Sequence, residues 1–347
     1  MEVLNMATLL VTGVSGFIGS SIAQALIRAG HRVLGTYNRN PPRLPESPAF
    51  KSLKTNLTSP SEVRDLLSSP DWRVEGIIHV AGLALDWGKP DAFEAANVSS
   101  ALHLLEQAEA QSMCFFLYTS SISVHGFGRD HVNTREDGPY TAPVSHYQRS
   151  KLRAESLVLG HPGTVPRSII RPGNVYGPGD TTTLYNILGA MRRGIYGYID
   201  RGRSLTCPVY IDDLVQAYAR MVAIYLGSDQ DARNRISGQI YNITSGETIT
   251  WRAYSELAAD FAGLTRPKTS IPAWLGHTAA ALLTLVYRLL GIKTPPPLTR
   301  YRVQQAGHHY HFSMDKARSD LGYQPQTPCA QGLEFSCQAW KKDQAAG

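Results

Sequence analysis

Apolar and polar positions alternate in blocks along the first two hundred residues, and the blocks read as strands and helices in turn. Ala7 to Thr12 is short, apolar and β-branched toward its end. Glycines at 13, 16 and 19 then turn the chain, and Ser20 to Ala29 carries apolar residues at helical spacing. Gly30 stands where a helix closes in the left-handed conformation, and His31 to Tyr37 reads as the next strand. Further buried strands are predicted at Gly76 to Val80, Cys114 to Thr119 and Ser168 to Arg171. Helices are predicted at Asn97 to Ala110 and from Tyr147 through Leu157. Strands alternating with helices specify an α/β protein with a doubly wound parallel sheet.

The pattern changes after a loop rich in Gly and Pro, Pro172 to Asp180. Thr182 to Gly194, Trp251 to Gly263 and Pro272 to Leu290 read as helices separated by loops, which predicts a smaller, mostly helical lobe. Pro295-Pro296-Pro297 is a stiff connector, because three prolines fit neither a helix interior nor a central strand. Pro272 to Gly291 opens on a proline, closes on a glycine and is almost wholly apolar from Ala279 to Val286. Three readings of it stand: a cover over a lipophilic pocket, contact with a membrane surface, or a span. His277, Thr278, Thr284 and Arg288 inside the stretch weigh against the span.

Composition narrows the classes. The formal charge of +6 over 347 residues suits an anionic ligand, yet the basic residues form no long run and no nucleic-acid partner is expected. Four cysteines, Cys114, Cys207, Cys329 and Cys337, lack metal-type pairing, so a reduced setting is expected. The first apolar stretch runs directly into the glycine loop with no cleavage-like sequence after it. A cytoplasmic protein is therefore expected, with membrane association left open by residues 272–291.

Three clusters carry candidate chemistry. Gly13, Gly16 and Gly19 form a strand-to-helix turn that lets backbone amides approach a pyrophosphate, although the GxxGxxG spacing departs from the common GxGxxG fingerprint. At the end of the second strand stands Tyr37-Asn38-Arg39 with no carboxylate, and Arg39 can bond the 2′-phosphate of NADP; NADP(H) is the preferred cofactor expected, with NAD(H) open. Tyr147 and Lys151 lie four residues apart on one helix face, so an ammonium can stabilise the phenolate of a proton-exchanging tyrosine. A hydroxyl at the end of Thr119-Ser120-Ser121 can polarise a carbonyl. His308-His309-Tyr310-His311 is read as a surface strand without an acidic or thiolate partner, so no metal is expected. Asp212-Asp213 is read as a helix start.

With these residues in view, the sequence resembles the extended short-chain dehydrogenase/reductase family over nearly all of its length. The resemblance rests on TGVSGFIGS (Thr12 to Ser20), HVAG (His79 to Gly82), YTSSISVHG (Tyr118 to Gly126), YQRSK (Tyr147 to Lys151), RPGNVYGPGD (Arg171 to Asp180) and PVYIDD (Pro208 to Asp213). It implies a Rossmann-type domain over 1–180, rejoined by 208–243, and a substrate-binding lobe over 181–207 and 244–347. It implies Tyr147 as proton donor or acceptor, Lys151 on the nicotinamide ribose, and Ser121 as hydroxyl partner with Ser123 second. It further implies a cofactor lined by Gly13, Ser15, Gly16, Phe17, Ile18, Gly19, Asn38, Arg39, Asn56, Leu57, Val80, Ala81, Gly82, Asn97 and Thr119, with Pro172, Gly173, Asn174 and Val175 beside the nicotinamide. Two positions depart from the pattern: His125 replaces a usual tyrosine, and Asn56 stands where an aspartate often meets the adenine.

The C-terminal half is most similar to the 3β-hydroxysteroid dehydrogenase branch and its bacterial β-keto acid reductases, through YNITSGETITW (Tyr241 to Trp251), PPLTRYRV (Pro296 to Val303) and FSMDKARSDLGYQP (Phe312 to Pro325). That branch implies a hydrophobic hydroxy or keto substrate. The competing expectations are a sugar-nucleotide epimerase and a non-catalytic NADP sensor. A dehydratase is disfavoured because Ile122-Ser123 stands where those relatives need an acidic pair. A homodimer is the default for such folds.

Overall fold

The computed structural model describes residues 6–346. A glycine turn carries β1 (Thr8–Thr12) into α1 (Phe17–Arg28), and β2 (Arg32–Tyr37) returns beside β1. The chain continues through β3 (Phe50–Lys54), α2 (Pro60–Leu67), β4 (Gly76–His79), α3 (Ser100–Ala110), β5 (Phe115–Thr119), α4 (His146–Gly160), β6 (Arg167–Pro172), α5 (Ile211–Leu226) and β7 (Ile240–Ile243). These seven strands form one parallel sheet in the order β3-β2-β1-β4-β5-β6-β7. The order reverses between β1 and β4, and there the carboxyl ends of the strands open a crevice.

Both faces of the sheet are covered, which is why its central strands read as continuous apolar runs. Leu9 and Val11 pack into one layer with Ile22 and Leu26 of α1 and Leu214 and Tyr218 of α5. Leu10 points the other way, into a layer with Val63 of α2, Leu104 of α3 and Val158 of α4.

Several expectations shift. β3 was not anticipated. The helix expected from Asn97 is preceded by a π-helical turn, Glu94–Ser99, and its regular part starts at Ser100. Inside the loop expected at Pro172 to Asp180, Asn174–Tyr176 pairs in parallel with Pro208–Tyr210.

The later chain folds as α6 (Trp251–Ala262), α7 (Ala273–Leu289), α8 (Arg300–Gly307) and α9 (Cys329–Ala346), with short ladders between. α9 packs along α6, and Tyr176 donates a hydrogen bond to the Cys329 carbonyl. Asp213 does more than begin α5: its buried carboxylate accepts the Gln326 and Thr327 amides at 2.7 and 3.2 Å, tying α5 to the C-terminal segment. Among the described residues no helix is long and apolar enough to cross a membrane, so the span reading of 272–291 falls. All four cysteines are free thiols.

The histidine cluster is not a plain surface strand. Tyr310–Phe312 pairs with His131–Thr134, and an acidic partner is present after all, since Asp130 accepts from His308 at 3.1 Å and from the His309 amide at 2.9 Å. Among the described residues no group of His, Cys, Asp and Glu could hold a metal.

Candidate active site

The crevice is built from the ends of β1, β4, β5 and β6. After β1 the chain needs a residue at φ +72°, which Gly13 supplies. A Cβ at Gly19 would sit 2.3 Å from the Gly13 carbonyl, so only glycine lets α1 start this close to the strand. α1 begins with no side-chain cap on its amides and no acidic residue in its first turn. Open amides at the positive end of a helix form an anion site, so the turn from Gly13 through Ser15, Gly16, Phe17, Ile18 and Gly19 fits the pyrophosphate of a dinucleotide.

At the adenosine end, Asn38 and Arg39 are exposed just beyond β2. The Asn56 side-chain oxygen accepts from the Thr58 amide and hydroxyl and shapes the turn into α2. Leu57 is a core residue, so only its backbone is available to a ligand.

The end of β4 is held from two sides. Thr12 Oγ1 accepts the Val80 and Ala81 amides at 3.0 Å each, so its own proton must go to His79 Nδ1, 2.9 Å away. That leaves the other ring nitrogen of His79 to donate to Ser100, whose hydroxyl donates to the Ala96 carbonyl in the π-turn. Burial, helped by the Lys151 charge, lowers the His79 pKa to about 3, so the ring stays neutral. Asn97 accepts the Leu83 N–H and donates to the Leu83 carbonyl and the Ser150 hydroxyl, so its side chain holds the end of β4 in place. Gly82 fits between these groups because it has no side chain: a Cβ there would lie 2.7 Å from Asn97 Oδ1 and 3.4 Å from Lys151 Nζ.

α4 delivers the candidate acid and base. Ser145 and Gln148 close a capping box at its start, fixing the turn on which Tyr147 stands. Lys151 is buried, donates to the Thr119 carbonyl at 2.7 Å and lies 4.8 Å from the Tyr118 ring centre. Burial lowers its pKa to about 8, with Glu155 opposing. Burial raises the pKa of the half-buried Tyr147, and the Ser121 hydroxyl acts against that through a hydrogen bond to the phenol. Ser121 therefore stands beside the Tyr147 phenol, whereas the Ser123 hydroxyl is buried beside Tyr301. Thr119 turns its hydroxyl to Tyr218 at 2.6 Å and offers the site only its backbone. Pro172 ends β6, Gly173 lies against the Cys207 carbonyl, and Asn174 bonds Thr206 at 2.9 Å and Gln305 at 3.1 Å, with Val175 buried next to it.

The C-terminal wall of the crevice holds residues that carry no role in the sequence analysis. Tyr301 of α8 is close enough to Tyr147 for the two phenols to interact electrostatically, and its ring stands edge-on to Phe127, 4.8 Å between centres. Asp86 anchors α8 over the crevice by accepting from Thr299 at 2.6 Å and pairing with Arg302 at 2.9 Å. The signal was the segment PPLTRYRV, whose tyrosine had no assigned partner. His125, the departure from the family tyrosine, stacks on Tyr140 and accepts from Arg171, and burial lowers its pKa to about 3.

Comparison with known proteins matches residues 9–243 to the model of the NAD dependent epimerase/dehydratase family. Among curated relatives, the 2-alkyl-3-oxoalkanoate reductase of Shewanella oneidensis is 27% identical over 333 residues, covering 93% of this chain and 84% of its own. The 3-beta-hydroxysteroid dehydrogenase of Mycolicibacterium neoaurum is 27% identical, covering 92% and 88%. Among solved structures, UDP-glucose 4-epimerase from Thermotoga maritima superposes with a TM-score of 0.75 at 20% identity over 97% of this chain and 99% of that one, a likeness of fold.

Proposed function

The chain belongs to the NAD dependent epimerase/dehydratase family and is an oxidoreductase, and from that premise we propose that it interconverts a hydrophobic ketone and its secondary alcohol, with NADP(H) preferred. The observation that supports the reading is that Tyr147 and Lys151 stand one turn apart on α4, with Lys151 bonded to the Thr119 carbonyl at the carboxyl end of β5 and Ser121 beside the Tyr147 phenol, near Phe127 and Tyr301. We place the dinucleotide on residues 1–180 and 208–243, and the substrate against 181–207 and 244–347.

A dinucleotide held by the Gly13–Gly19 turn and the ends of β4 and β5 would supply or receive the hydride through its nicotinamide. In the reducing direction the Ser121 hydroxyl donates a hydrogen bond to the substrate carbonyl oxygen and raises the electrophilicity of its carbon. Tyr147 gives its phenolic proton to that oxygen as the carbon takes up hydride, and the Lys151 ammonium stabilises the phenolate left behind. In the oxidising direction the same proton returns to Tyr147. Arg39, exposed beyond β2 with no acidic residue at Asn38, supports the phosphate-bearing cofactor.

The test is oxidation of NADPH and NADH by the purified protein against hydrophobic ketones, β-keto acids and ketosteroids, with UDP-sugars alongside. Turnover of a hydrophobic ketone supports the reading, and UDP-sugar interconversion with silence on every ketone overturns it in favour of an epimerase. Tyr147→Phe is expected to lower kcat about 10³-fold while leaving cofactor Kd within about twofold. An active Tyr147→Phe variant removes the proton-transfer role.

A further inference from the structure

α7 is amphipathic in the reverse of the usual sense. The residues it buries are small, Gly276 and Ala280, one turn apart, and a Cβ at Gly276 would lie 3.2 Å from both Ile199 and Val303. The opposite side carries Trp274, Leu275, Leu282, Leu285, Val286 and Leu289. At ~100° per residue these six fall within about a third of the helix circumference. They are bare: Trp274 is 69% exposed, Leu282 62% and Leu289 76%. A stripe this long is far more than the scattered surface leucines of an ordinary helix.

Charge says what covers it. From Phe261 to Met314 the sequence contains no Asp or Glu, and Arg288, Lys293 and Arg300 stand exposed in and after α7. An anionic lipid surface complements them, and a tryptophan at one end with cations at the other is the composition of a helix at a headgroup boundary. We infer that α7 docks on an anionic membrane surface, lying in its plane with the Trp274–Leu289 stripe in the acyl boundary and the cations on the headgroups.

Docking there turns the crevice toward the lipid. The Trp87 indole donates to the Ile292 carbonyl at 3.4 Å, and Trp87 meets Tyr287 edge to face at 6.3 Å, so the end of α7 is fixed to the loop that follows Gly82. Burial, then the Arg149 and Arg288 charges, lower the pKa of His146, the residue before Tyr147. A hydrophobic ketone dissolved in the membrane would thus enter beside the catalytic helix; this second step rests on the proposed function, whereas the docking does not.

The experiment is co-sedimentation of the full chain with vesicles of phosphatidylcholine alone and of phosphatidylcholine mixed with phosphatidylglycerol, together with its sedimentation velocity in the absence of lipid. Binding to the mixed vesicles at least about tenfold tighter than to the neutral ones, and weakening with salt, is expected. Leu285→Gln with Leu289→Gln should lose at least about tenfold on the mixed vesicles, and Arg288→Gln with Lys293→Gln about thirtyfold there but little on neutral ones. Circular dichroism and turnover of a soluble ketone check that each pair folds. Failure to bind either vesicle overturns the inference, as does concentration-dependent dimerisation abolished by the two leucine changes. A chain that binds vesicles yet turns over no ketone refutes the proposed function and leaves the docking intact.

Discussion

At the scale of single residues, the site depends on burial setting two groups apart. Burial raises the Tyr147 pKa, so the phenol keeps its proton at neutral pH and is poised to donate. Burial lowers the Lys151 pKa to about 8, so the ammonium, proposed above to stabilise the product phenolate, is present below that pH and lost above it. Reduction is therefore expected to be flat from about pH 6 to 7.5 and to fall with the loss of one proton above about pH 8, read as kcat/KM against pH. A profile unchanged to pH 10 would show that the Lys151 charge has no part in the rate. Arg39 is argued at the same scale: Arg39→Ala should cut the ratio of kcat/KM for NADPH over NADH by at least about tenfold, because a charge-assisted bond to phosphate is worth about 1.5–3 kcal/mol. An unaltered ratio assigns selectivity elsewhere.

At the scale of elements, the end of β4 and the π-turn act as one assembly, since Thr12, His79 and Ser100 bind one side of it and Asn97 the other. Gly82→Ala drives a methyl toward Asn97 Oδ1 and Lys151 Nζ. It is expected to lower stability by only about 1–3 kcal/mol, yet to cut kcat by about 10² through displacement of the lysine. Urea unfolding and steady-state kinetics on the same variant separate the two effects, and a kcat loss no larger than tenfold would mean the lysine stays in place. The sequence made β1, α1, β2, β4, β5 and β6 legible, because buried parallel strands are apolar throughout and glycines punctuate them. β3 escaped because it is the sheet edge: in Phe-Lys-Ser-Leu-Lys only Phe50 is buried, so no apolar run marks it. The π-turn escaped for another reason, since the hydrogen bonds of Asn97, formed only in the folded protein, hold it in place. Likewise the Tyr147 and Lys151 spacing is local and readable, whereas Tyr301 reaches the site from a distant helix.

At the scale of the whole molecule, a buried ion pair joins α4 to the sheet. Arg171 of β6 donates to both carboxylate oxygens of Glu155 on α4 at 2.8 and 2.6 Å, and further to His125, the Glu136 carbonyl and Tyr140. Glu136 in turn accepts the Asn242 amide of β7 at 2.9 Å, so β6 and α4 meet at one guanidinium and β7 is linked to it through Glu136. Glu155→Ala leaves that cation buried without its partner and should cost about 3–5 kcal/mol of unfolding free energy. A loss below 1 kcal/mol in chemical denaturation would show that the surrounding acceptors suffice alone.

The strand order also has a consequence in time. β1 to β5 emerge from the ribosome in sequence and can pair with neighbours already made, but β7 closes the edge of β6 only after all of 173–239 has been synthesised. Through that interval the β6 edge stands with its backbone donors and acceptors unmatched, next to the helix that bears Tyr147. That edge is where a nascent chain would stick to its neighbours, and where a chaperone would find it.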